Sequence, residues 1–350
     1  MVKVGIVGAS GYIGGELLRI LLKHPKCEIS FATSRTYQGE YVFRVHPNLR
    51  SFTDMKFSPN SIEVLANADL VFTALPHGQS FRIVQELVKM GTRIIDLSAD
   101  FRLKNPSLYT SWYGIEHPYP ELLEKFVYSV PELNREKVRD SRYASSPGCM
   151  AIASILSIVP FAKNFSFDSK RIVVDAKIGS SGSGGKPSLS THFSERYNVV
   201  RPYKPAGHRH QAEIEQALDT FAGIEARISM SAHAVNMVRG ILCTAHLFVE
   251  DSISLPEIWK AYREFYTGCI FIRLVRDRKG PFRLPDPKLV IGSNLCDIGF
   301  ELDSKNNRAV LISAIDNLLK GAAGNAVQTM NIMLGFKEEE GLDSIPLHPV

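Results

Sequence analysis

The chain has 350 residues, 45% hydrophobic and 22% charged, and its 41 basic and 36 acidic residues give a net charge of +5. This length is typical of two globular domains, and the composition excludes a disordered, fibrous or disulfide-built protein. The charge excess is too small to favour nucleic-acid binding, and no apolar run is long enough to span a membrane, so we expect a soluble cytoplasmic enzyme.

The first 150 residues alternate β-rich runs with helical patterns. Strands are expected at residues 2–7, 28–33, 69–75 and 92–97, and helices at 11–22 and 81–90. This alternation predicts an α/β fold with a doubly wound parallel sheet of the Rossmann type. We place this domain at residues 1–148, completed by a C-terminal helix within 318–350.

After Pro160 the pattern changes to strands. They are expected at residues 171–178, 235–249, 270–275, 289–302 and 308–315. Since no crossover helix fits between the last three, these should pair largely antiparallel. The pattern predicts a second, α+β domain at 149–317, which contains a long loop-rich stretch, 179–210.

A glycine-rich turn, GASGYIG, follows the first strand and opens the first helix. Gly8 permits a tight turn, Gly11 lets the backbone approach a pyrophosphate, and Gly14 allows close packing of helix and strand. The second strand is followed by Ser34 and Arg35 rather than by an acid for a ribose 2′-hydroxyl. Both side chains suit a 2′-phosphate, which favours NADPH; the alternative for Arg35 is an exposed loop arginine.

Cys149 is the candidate nucleophile, because SSPGC ends a short strand and an apolar helical run up to Pro160 follows. A helix N-terminus favours anions and therefore the thiolate. The alternative is a buried structural cysteine. That alternative fits the other four cysteines, Cys27, Cys243, Cys269 and Cys296. No CxxC pair is present, which argues against a structural zinc site.

Two histidines, His208 and His210, flank an arginine at the end of a glycine-bearing loop and precede a helix with early carboxylates. A nucleophilic thiolate needs a proton partner, so we expect a convergent cationic site here. No third ligand at ordinary spacing is apparent, and no metal is expected. Arg102, in SADFR after a parallel strand, is a candidate for a substrate phosphate; a surface salt bridge is the alternative.

The loop GSSGSGGKP superficially resembles a P-loop. Ser180 stands where its first glycine belongs, and Pro187 stands where Ser or Thr must bind magnesium. The loop therefore does not predict an ATPase. A backbone that approaches the nicotinamide or the substrate is the better interpretation.

GASGYIG, SADFR, SSPGCMA, GSSGSGGKP, AGHRHQAEIEQ, MVRGIL, GSNLCDIGF and KGAAGNAVQTMN follow one another in an order that closely resembles the N-acetyl-gamma-glutamyl-phosphate reductases. The resemblance runs from residue 1 to about residue 336. It implies NADPH-dependent reduction of an acyl phosphate to a semialdehyde through a Cys149 thioester, with His210 as the acid–base residue and with His208 and Arg102 beside the substrate. The implied cofactor contacts, besides those above, are Ser10, Tyr12, Ile13, Pro76, Ser181, Gly182 and Asn325.

Three departures are more similar to the archaeal and Thermus-type lysine-biosynthesis branch: Ser146 for the family's usual asparagine, GSSGSGGKP for GVSGAGRK, and HRHQAE for HRHTPE. Those enzymes reduce an aminoadipyl phosphate tethered to an acidic amino-group carrier protein, and some serve both lysine and arginine biosynthesis. We place carrier-linked substrates ahead of free N-acetyl-gamma-glutamyl phosphate, and the net charge suits an acidic carrier.

The remoter alternatives are an aspartate-semialdehyde dehydrogenase and a non-catalytic NADPH-binding protein. The HRH segment and SADFR argue against the first. A cysteine at a helix N-terminus argues against the second. The resemblance also implies a homodimer or homotetramer.

Overall fold

The structure, a computed structural model, describes residues 1–277 and 279–350. The strands are β1 Val2–Val7, β2 Cys27–Ala32, β3 Leu70–Thr73, β4 Arg93–Asp96, β5 Val127–Tyr128, β6 Tyr143–Ser145, β7 Phe167–Ile178, β8 Val200–Lys204, β9 Ile228–Val235, β10 Ile241–Val249, β11 Ile272–Leu274, β12 Cys296–Asp303 and β13 Arg308–Ile315. The helices are α1 Tyr12–Leu21, α2 Val42–Val45, α3 Ile62–Leu65, α4 Phe81–Lys89, α5 Ser107–Tyr113, α6 Pro120–Leu123, α7 Pro131–Arg139, α8 Cys149–Asn164, α9 Phe193–Arg196, α10 His210–Ala222, α11 Leu255–Phe265 and α12 Gly324–Met333. Within these residues no helix is both long and apolar enough to cross a membrane.

The chain forms two compact units. The first comprises Met1–Pro147 and Ala322–Asp343, and the second comprises Gly148–Gly321 and Ser344–Val350. The first unit is built on a parallel sheet with strand order β2-β1-β3-β4-β6-β5. Its central strands are buried on both faces. Such burial is typical of parallel strands that helices cover on either side. The predicted doubly wound sheet is confirmed.

Helix α1 turns an apolar face to the first unit's sheet, where Leu17, Leu18 and Leu21 are almost fully buried. Helix α12, from the end of the chain, packs against α1, α7 and β4 of the same unit. Because α1 begins directly after β1, its N-terminus lies at the carboxyl edge of the sheet, where such folds bind ligands.

The second unit contains a mixed sheet with strand order β11-β12-β13-β10-β7-β9-β8. Most neighbours are antiparallel, as predicted, but β7 and β9 are parallel, and α10 lies on the chain between them. Of the last three strands, β12 and β13 pair antiparallel as expected, whereas β11 and β12 are parallel. The expected strand 235–249 is also wrong, since β9 ends at Val235 and β10 begins at Ile241.

Helix α8 is the buried centre of the second unit, and it does not end at Pro160 as predicted but continues to Asn164. A proline inside a helix leaves the carbonyl four residues earlier without its usual donor. Here that carbonyl, of Leu156, accepts a hydrogen bond from the hydroxyl of Tyr266. The neighbouring Ser157 carbonyl accepts one from Tyr262. The long-range bonds explain why the helix tolerates Pro160.

Candidate active site

The glycine turn of the first unit has the geometry of a phosphate-binding loop. Gly8 has φ of 79°, and a Cβ there would lie 2.6 Å from the carbonyl oxygen of Ala74. A Cβ on Gly14 would lie 2.5 Å from the Cα of Ala9, so this glycine permits α1 to pack on the turn. At Gly11 the nearest atom to a Cβ is the Gly8 carbonyl oxygen at 3.8 Å, which leaves space before the first N–H groups of α1. These residues fit a dinucleotide pyrophosphate.

Ser34 and Arg35 have different surroundings. Ser34 is only 3% exposed, and its hydroxyl donates to the Ser10 hydroxyl at 2.9 Å and accepts the N–H of Tyr37 at 3.2 Å. Ser34 therefore holds the glycine turn against the end of β2. Arg35 is exposed, as is Tyr12 at the first position of α1, while Ile13 is half-buried. Arg35 is the better placed of the pair for a 2′-phosphate.

A buried carboxylate network that the sequence interpretation missed lies beyond β3 and β4. Asp100 accepts the N–H groups of Gly78 at 2.7 Å and Ser80 at 3.0 Å, which fixes the exposed loop that starts at Pro76. Asp96 accepts hydrogen bonds from the hydroxyls of Ser98, at 2.6 Å, and Thr73. Burial, together with the negative charge of Asp100, raises the pKa of Asp96 to about 6. The pattern DLSAD directly after a strand is the feature that could have revealed it.

Arg102 and Asn325 both contact Ser146 within the first unit. Arg102 is 5% exposed, and its guanidinium donates to the carbonyls of Ser146 at 2.8 Å and Leu97 at 3.0 Å. The fully buried Asn325 amide donates to the Ser129 carbonyl at 3.1 Å and to the Ser146 hydroxyl at 3.4 Å. These bonds hold the backbone of the SSPGC turn, so Arg102 has an evident structural task besides the predicted contact with substrate.

In the second unit Cys149 is the first residue of α8, and Gly148 precedes it in an extended conformation. The thiol is half-buried, and the helix carries no acidic residue in its first turn. Sixteen residues of aligned peptide dipoles therefore favour a thiolate at this position. Gly321 makes room for it, because a Cβ on that glycine would lie 2.9 Å from the Cβ of Cys149.

Glu213, which the sequence interpretation did not single out, joins His210 to the start of α8. Its side chain is fully buried, and Oε2 accepts the N–H of Gly148 at 2.8 Å. Oε1 lies 3.8 Å from His210 Nε2. A Cβ on Gly148 would overlap that same imidazole nitrogen. The imidazole is thus packed against the residue before Cys149, with the side chain of Glu213 beside it.

His208 does not contribute positive charge to this cluster, which corrects the expected cationic site. Its ring lies 4.6 Å from that of His210, and its Nδ1 accepts the His210 N–H at 3.2 Å. Burial, followed by the nearby charges of Arg209 and Lys204, lowers the pKa of His208 to about 4. Partial burial raises the pKa of Tyr203 to about 12, and the negative charge of Cys149 acts in the same direction.

The glycine-rich loop of the second unit begins as a short 3₁₀ turn, Ser180–Ser183. Ser181 is 7% exposed, its N–H donates to the carbonyl of Val238 at 2.9 Å, and its hydroxyl accepts a bond from the Asn317 amide at 3.0 Å. Gly182 is exposed, and a Cβ there would lie 2.5 Å from Ile178 Cδ1. The turn therefore holds Ser181 and presents the Gly182 backbone.

Three of the other four cysteines are more deeply buried than Cys149. Burial raises the pKa of Cys27 to about 11 and that of Cys243 to about 12, and Cys296 is fully buried. Cys269 is half-buried. Within residues 1–277 and 279–350, no group of three metal-binding side chains comes together.

Comparison with known proteins covers nearly the whole chain. Residues 3–141 match the family profile described as semialdehyde dehydrogenase, NAD binding domain, and residues 149–317 match that described as semialdehyde dehydrogenase, dimerisation domain. A relative from Cenarchaeum symbiosum is 54% identical over 349 residues, 99% of this chain and 100% of the relative. One from Pyrobaculum aerophilum is 53% identical over 350 residues, with the same coverage. Both are named as LysW-L-2-aminoadipate/LysW-L-glutamate phosphate reductases.

The crystal structure of aspartate semialdehyde dehydrogenase with NADP from Candida albicans has a TM-score of 0.71 at 16% identity and covers 95% of this chain and 99% of its own. That likeness shows the fold. The much higher identity to the reductases confirms the predicted family resemblance and enzyme class, and the matched profile confirms a nicotinamide-dinucleotide-binding domain. The chain therefore belongs to the semialdehyde dehydrogenase family, in the same group as these archaeal phosphate reductases.

Proposed function

We propose that this enzyme uses NADPH to reduce the acyl phosphate of a carrier-linked substrate to a semialdehyde through a thioester on Cys149. The names of relatives at more than half identity specify 2-aminoadipate and glutamate linked to LysW, which supports this substrate class and a role in lysine or arginine biosynthesis. The observation that carries the chemistry is the position of Cys149 at the start of α8, beside Gly148, on which Glu213 and His210 converge.

In the first step the Cys149 thiolate attacks the carbonyl carbon of the acyl phosphate. A C–S bond forms, the bond from that carbon to the phosphate oxygen breaks, and inorganic phosphate leaves with the electron pair. The dipole of α8 favours the thiolate before attack. Its first N–H groups favour the negative charge that develops on the carbonyl oxygen.

In the second step the thioester is reduced and released. The nicotinamide, when bound, supplies a hydride to the thioester carbon. We assign to His210 the proton that balances the reaction, because its imidazole packs against Gly148, the residue before Cys149. The imidazolium donates this proton to sulfur as the C–S bond breaks and the aldehyde forms. His208, whose pKa is about 4, is neutral at pH 7 and suits a hydrogen-bonding role toward substrate.

For the cofactor we propose NADPH, since exposed Arg35 follows β2 and no acidic side chain occupies that place. The glycine turn would hold the pyrophosphate through Gly11 and the start of α1. The contacts expected from Pro76, Ser181, Gly182 and Asn325, and the substrate contact of Arg102, remain part of this proposal.

We also propose a division of labour along the chain. Residues 1–148, with 318–350, would bind the cofactor, and residues 149–317 would hold the nucleophile. Because the profile matched by 149–317 is described as a dimerisation domain, we propose a homodimer or homotetramer assembled through this region. A cytoplasmic location remains the expectation for such a biosynthetic enzyme.

The experiment offers the purified enzyme four acyl phosphates: carrier-linked 2-aminoadipyl, carrier-linked glutamyl, free N-acetyl-gamma-glutamyl and aspartyl phosphate. Oxidation of NADPH or NADH is followed by absorbance. We expect the highest kcat/KM with a carrier-linked substrate and NADPH. Preference for free N-acetyl-gamma-glutamyl phosphate would instead support the alternative function, a reductase of that free substrate, because the motifs also resemble the wider N-acetyl-gamma-glutamyl-phosphate reductase family. Preference for aspartyl phosphate would contradict the proposal.

A further inference from the structure

Asp316, which the proposed chemistry does not use, directly follows β13 and is fully buried in the second unit. Its Oδ2 accepts the N–H of Gly292 at 2.9 Å and a bond from the guanidinium of Arg239 at 3.3 Å. Its Oδ1 accepts the N–H of Leu318 at 2.8 Å. A buried carboxylate is costly unless hydrogen bonds and charges compensate it, and here both do. These bonds attach Asp316 to two distant stretches of the second unit and to the turn that follows it.

The turn that follows Asp316 is a π-helical turn, Leu319–Ala323. The N–H of Gly321 donates to the carbonyl of Asp316 at 3.0 Å, which is the hydrogen bond that defines such a turn. π-helical turns are rare, and they occur frequently at functional sites. The position of this turn therefore depends on the residue at which it begins, Asp316.

Gly321 is the residue through which the π-helical turn reaches Cys149. A Cβ on Gly321 would lie 2.9 Å from the Cβ of Cys149. The backbone of Gly321 thus lies against one side of the cysteine side chain and restricts the directions in which the thiol can point. Direction matters here, because the N-terminus of α8 stabilises a thiolate only while the sulfur stays close to it.

The residue after Asp316 strengthens the attachment of Arg239. Asn317 is 3% exposed, and its Oδ1 accepts the N–H of Gly240 at 2.8 Å. Its Nδ2 donates to the hydroxyl of Ser181 in the glycine-rich loop at 3.0 Å. The stretch that carries Arg239 and the glycine-rich loop are therefore both tied to the short segment between β13 and the π-helical turn.

We propose that Asp316 is a positioning residue of the reaction, which holds the π-helical turn so that Gly321 keeps the thiol of Cys149 at the start of α8. This inference rests on Cys149 as the proposed nucleophile. Because Asp316 is fully buried, it acts through Gly321 and not by contact with the substrate. The alternative is that Asp316 only stabilises the fold, and the two roles differ in their effect on Cys149.

The test is the alkylation of Cys149 by iodoacetamide in the full-length enzyme, measured across the pH range and followed by mass spectrometry of the peptide that carries this cysteine. In Asp316→Asn the amide cannot pair with the charge of Arg239 or accept all three bonds. We expect alkylation at neutral pH to slow by about three- to tenfold, and the midpoint of its pH dependence to move to higher pH, since the thiol leaves the helix N-terminus. With acyl phosphate, kcat should fall by about 10- to 100-fold at nearly constant KM.

The matched control is Asp297→Asn. Asp297 is also a buried aspartate of the second unit, and both of its carboxylate oxygens accept bonds from Arg273 at 2.7 Å. These bonds join β12 to β11 and not to the π-helical turn. The control should therefore lower the melting temperature without moving the alkylation profile.

A second variant, Gly321→Ala, tests the contact with Cys149 while Asp316 stays intact. Its added methyl group would overlap the Cβ of Cys149, so we expect the alkylation midpoint to move to higher pH here as well. This variant decides the question if Asp316→Asn does not fold.

A folded Asp316→Asn whose alkylation profile coincides with that of the wild type would overturn the assignment and leave a purely stabilising role. An unchanged profile in Gly321→Ala would overturn it in the same way. The proposed nucleophile itself would be contradicted by a different result, a wild-type midpoint no lower than the value of about 8.5 of an ordinary cysteine.

Discussion

At the scale of single residues, Glu213 explains how the turn before Cys149 and the imidazole of His210 are held together. A fully buried carboxylate is costly unless hydrogen bonds and charges compensate it. Here one oxygen accepts the N–H of Gly148 and the other lies near His210 Nε2. The same side chain therefore positions both the residue before Cys149 and the imidazole of His210.

Glu213→Gln should keep the bond to Gly148 through its amide oxygen but remove the negative charge beside His210. We expect kcat to fall by about 10- to 100-fold and the kcat–pH profile to differ from that of the wild type, since the charge beside the imidazole is removed. The matched control is Glu215→Gln on the same helix, whose carboxylate accepts the Ile228 N–H at 2.9 Å. A Glu213→Gln profile that coincides with the wild type would remove this residue from the mechanism.

Cys149 could be predicted from sequence because its evidence is local: a Pro-Gly turn followed at once by an apolar helical run. Glu213 could not, because its bond to Gly148 joins residues 65 positions apart. His208 was misjudged for the same reason. Its neutrality depends on burial that only the folded unit creates.

At the scale of elements, the carboxyl ends of β3 and β4 are joined by the hydroxyl–carboxylate network of Asp96 and Asp100. The folded state raises the pKa of Asp96 from 3.8 to about 6, chiefly through burial. The folded protein therefore holds this proton more tightly than the unfolded chain does. The stability that this proton confers is lost as the pH rises through about 6.

Asp96→Asn preserves the side chain's size and removes this titration. The difference in unfolding free energy, variant minus wild type, should be more positive at pH 7.5 than at pH 4.5, because only the wild type loses stability as the pH rises. Denaturant titration at both pH values measures this difference. Asp54→Asn, at an exposed position, serves as the control and should follow the wild-type pH dependence. Parallel pH dependences of Asp96→Asn and wild type would show that the carboxyl does not titrate in this range.

The strands β1 to β4 and the helices α1 and α4 of the first unit were predicted to within two residues at each end, because clear turn residues separate them. The short helices α2, α3 and α5 to α7 and the strand β5 were not predicted. The errors in the second unit have long-range causes. Helix α8 passes through Pro160 because tyrosine hydroxyls from Tyr262 and Tyr266 supply hydrogen bonds to nearby carbonyls. The parallel pairing of β11 with β12 joins residues 24 positions apart, such as Ile272 and Cys296, so no local pattern indicated it.

At the scale of the whole molecule, one chain combines a unit built on a parallel sheet with a unit that contains a mixed sheet and helix α8, which begins at Cys149. The change between the two units falls between Pro147 and Gly148, immediately before Cys149. The order of the motifs was enough to predict the family.

The measurement that tests the central claim most directly omits the cofactor. The enzyme is mixed with carrier-linked acyl phosphate, quenched in acid, and analysed for inorganic phosphate and by mass spectrometry of the denatured protein. We predict a burst of about one phosphate per active site and a hydroxylamine-sensitive covalent adduct of enzyme and carrier at Cys149. The account would be contradicted if the adduct were absent from an enzyme that completes turnover once NADPH is added. It would also be contradicted if the adduct formed at another residue.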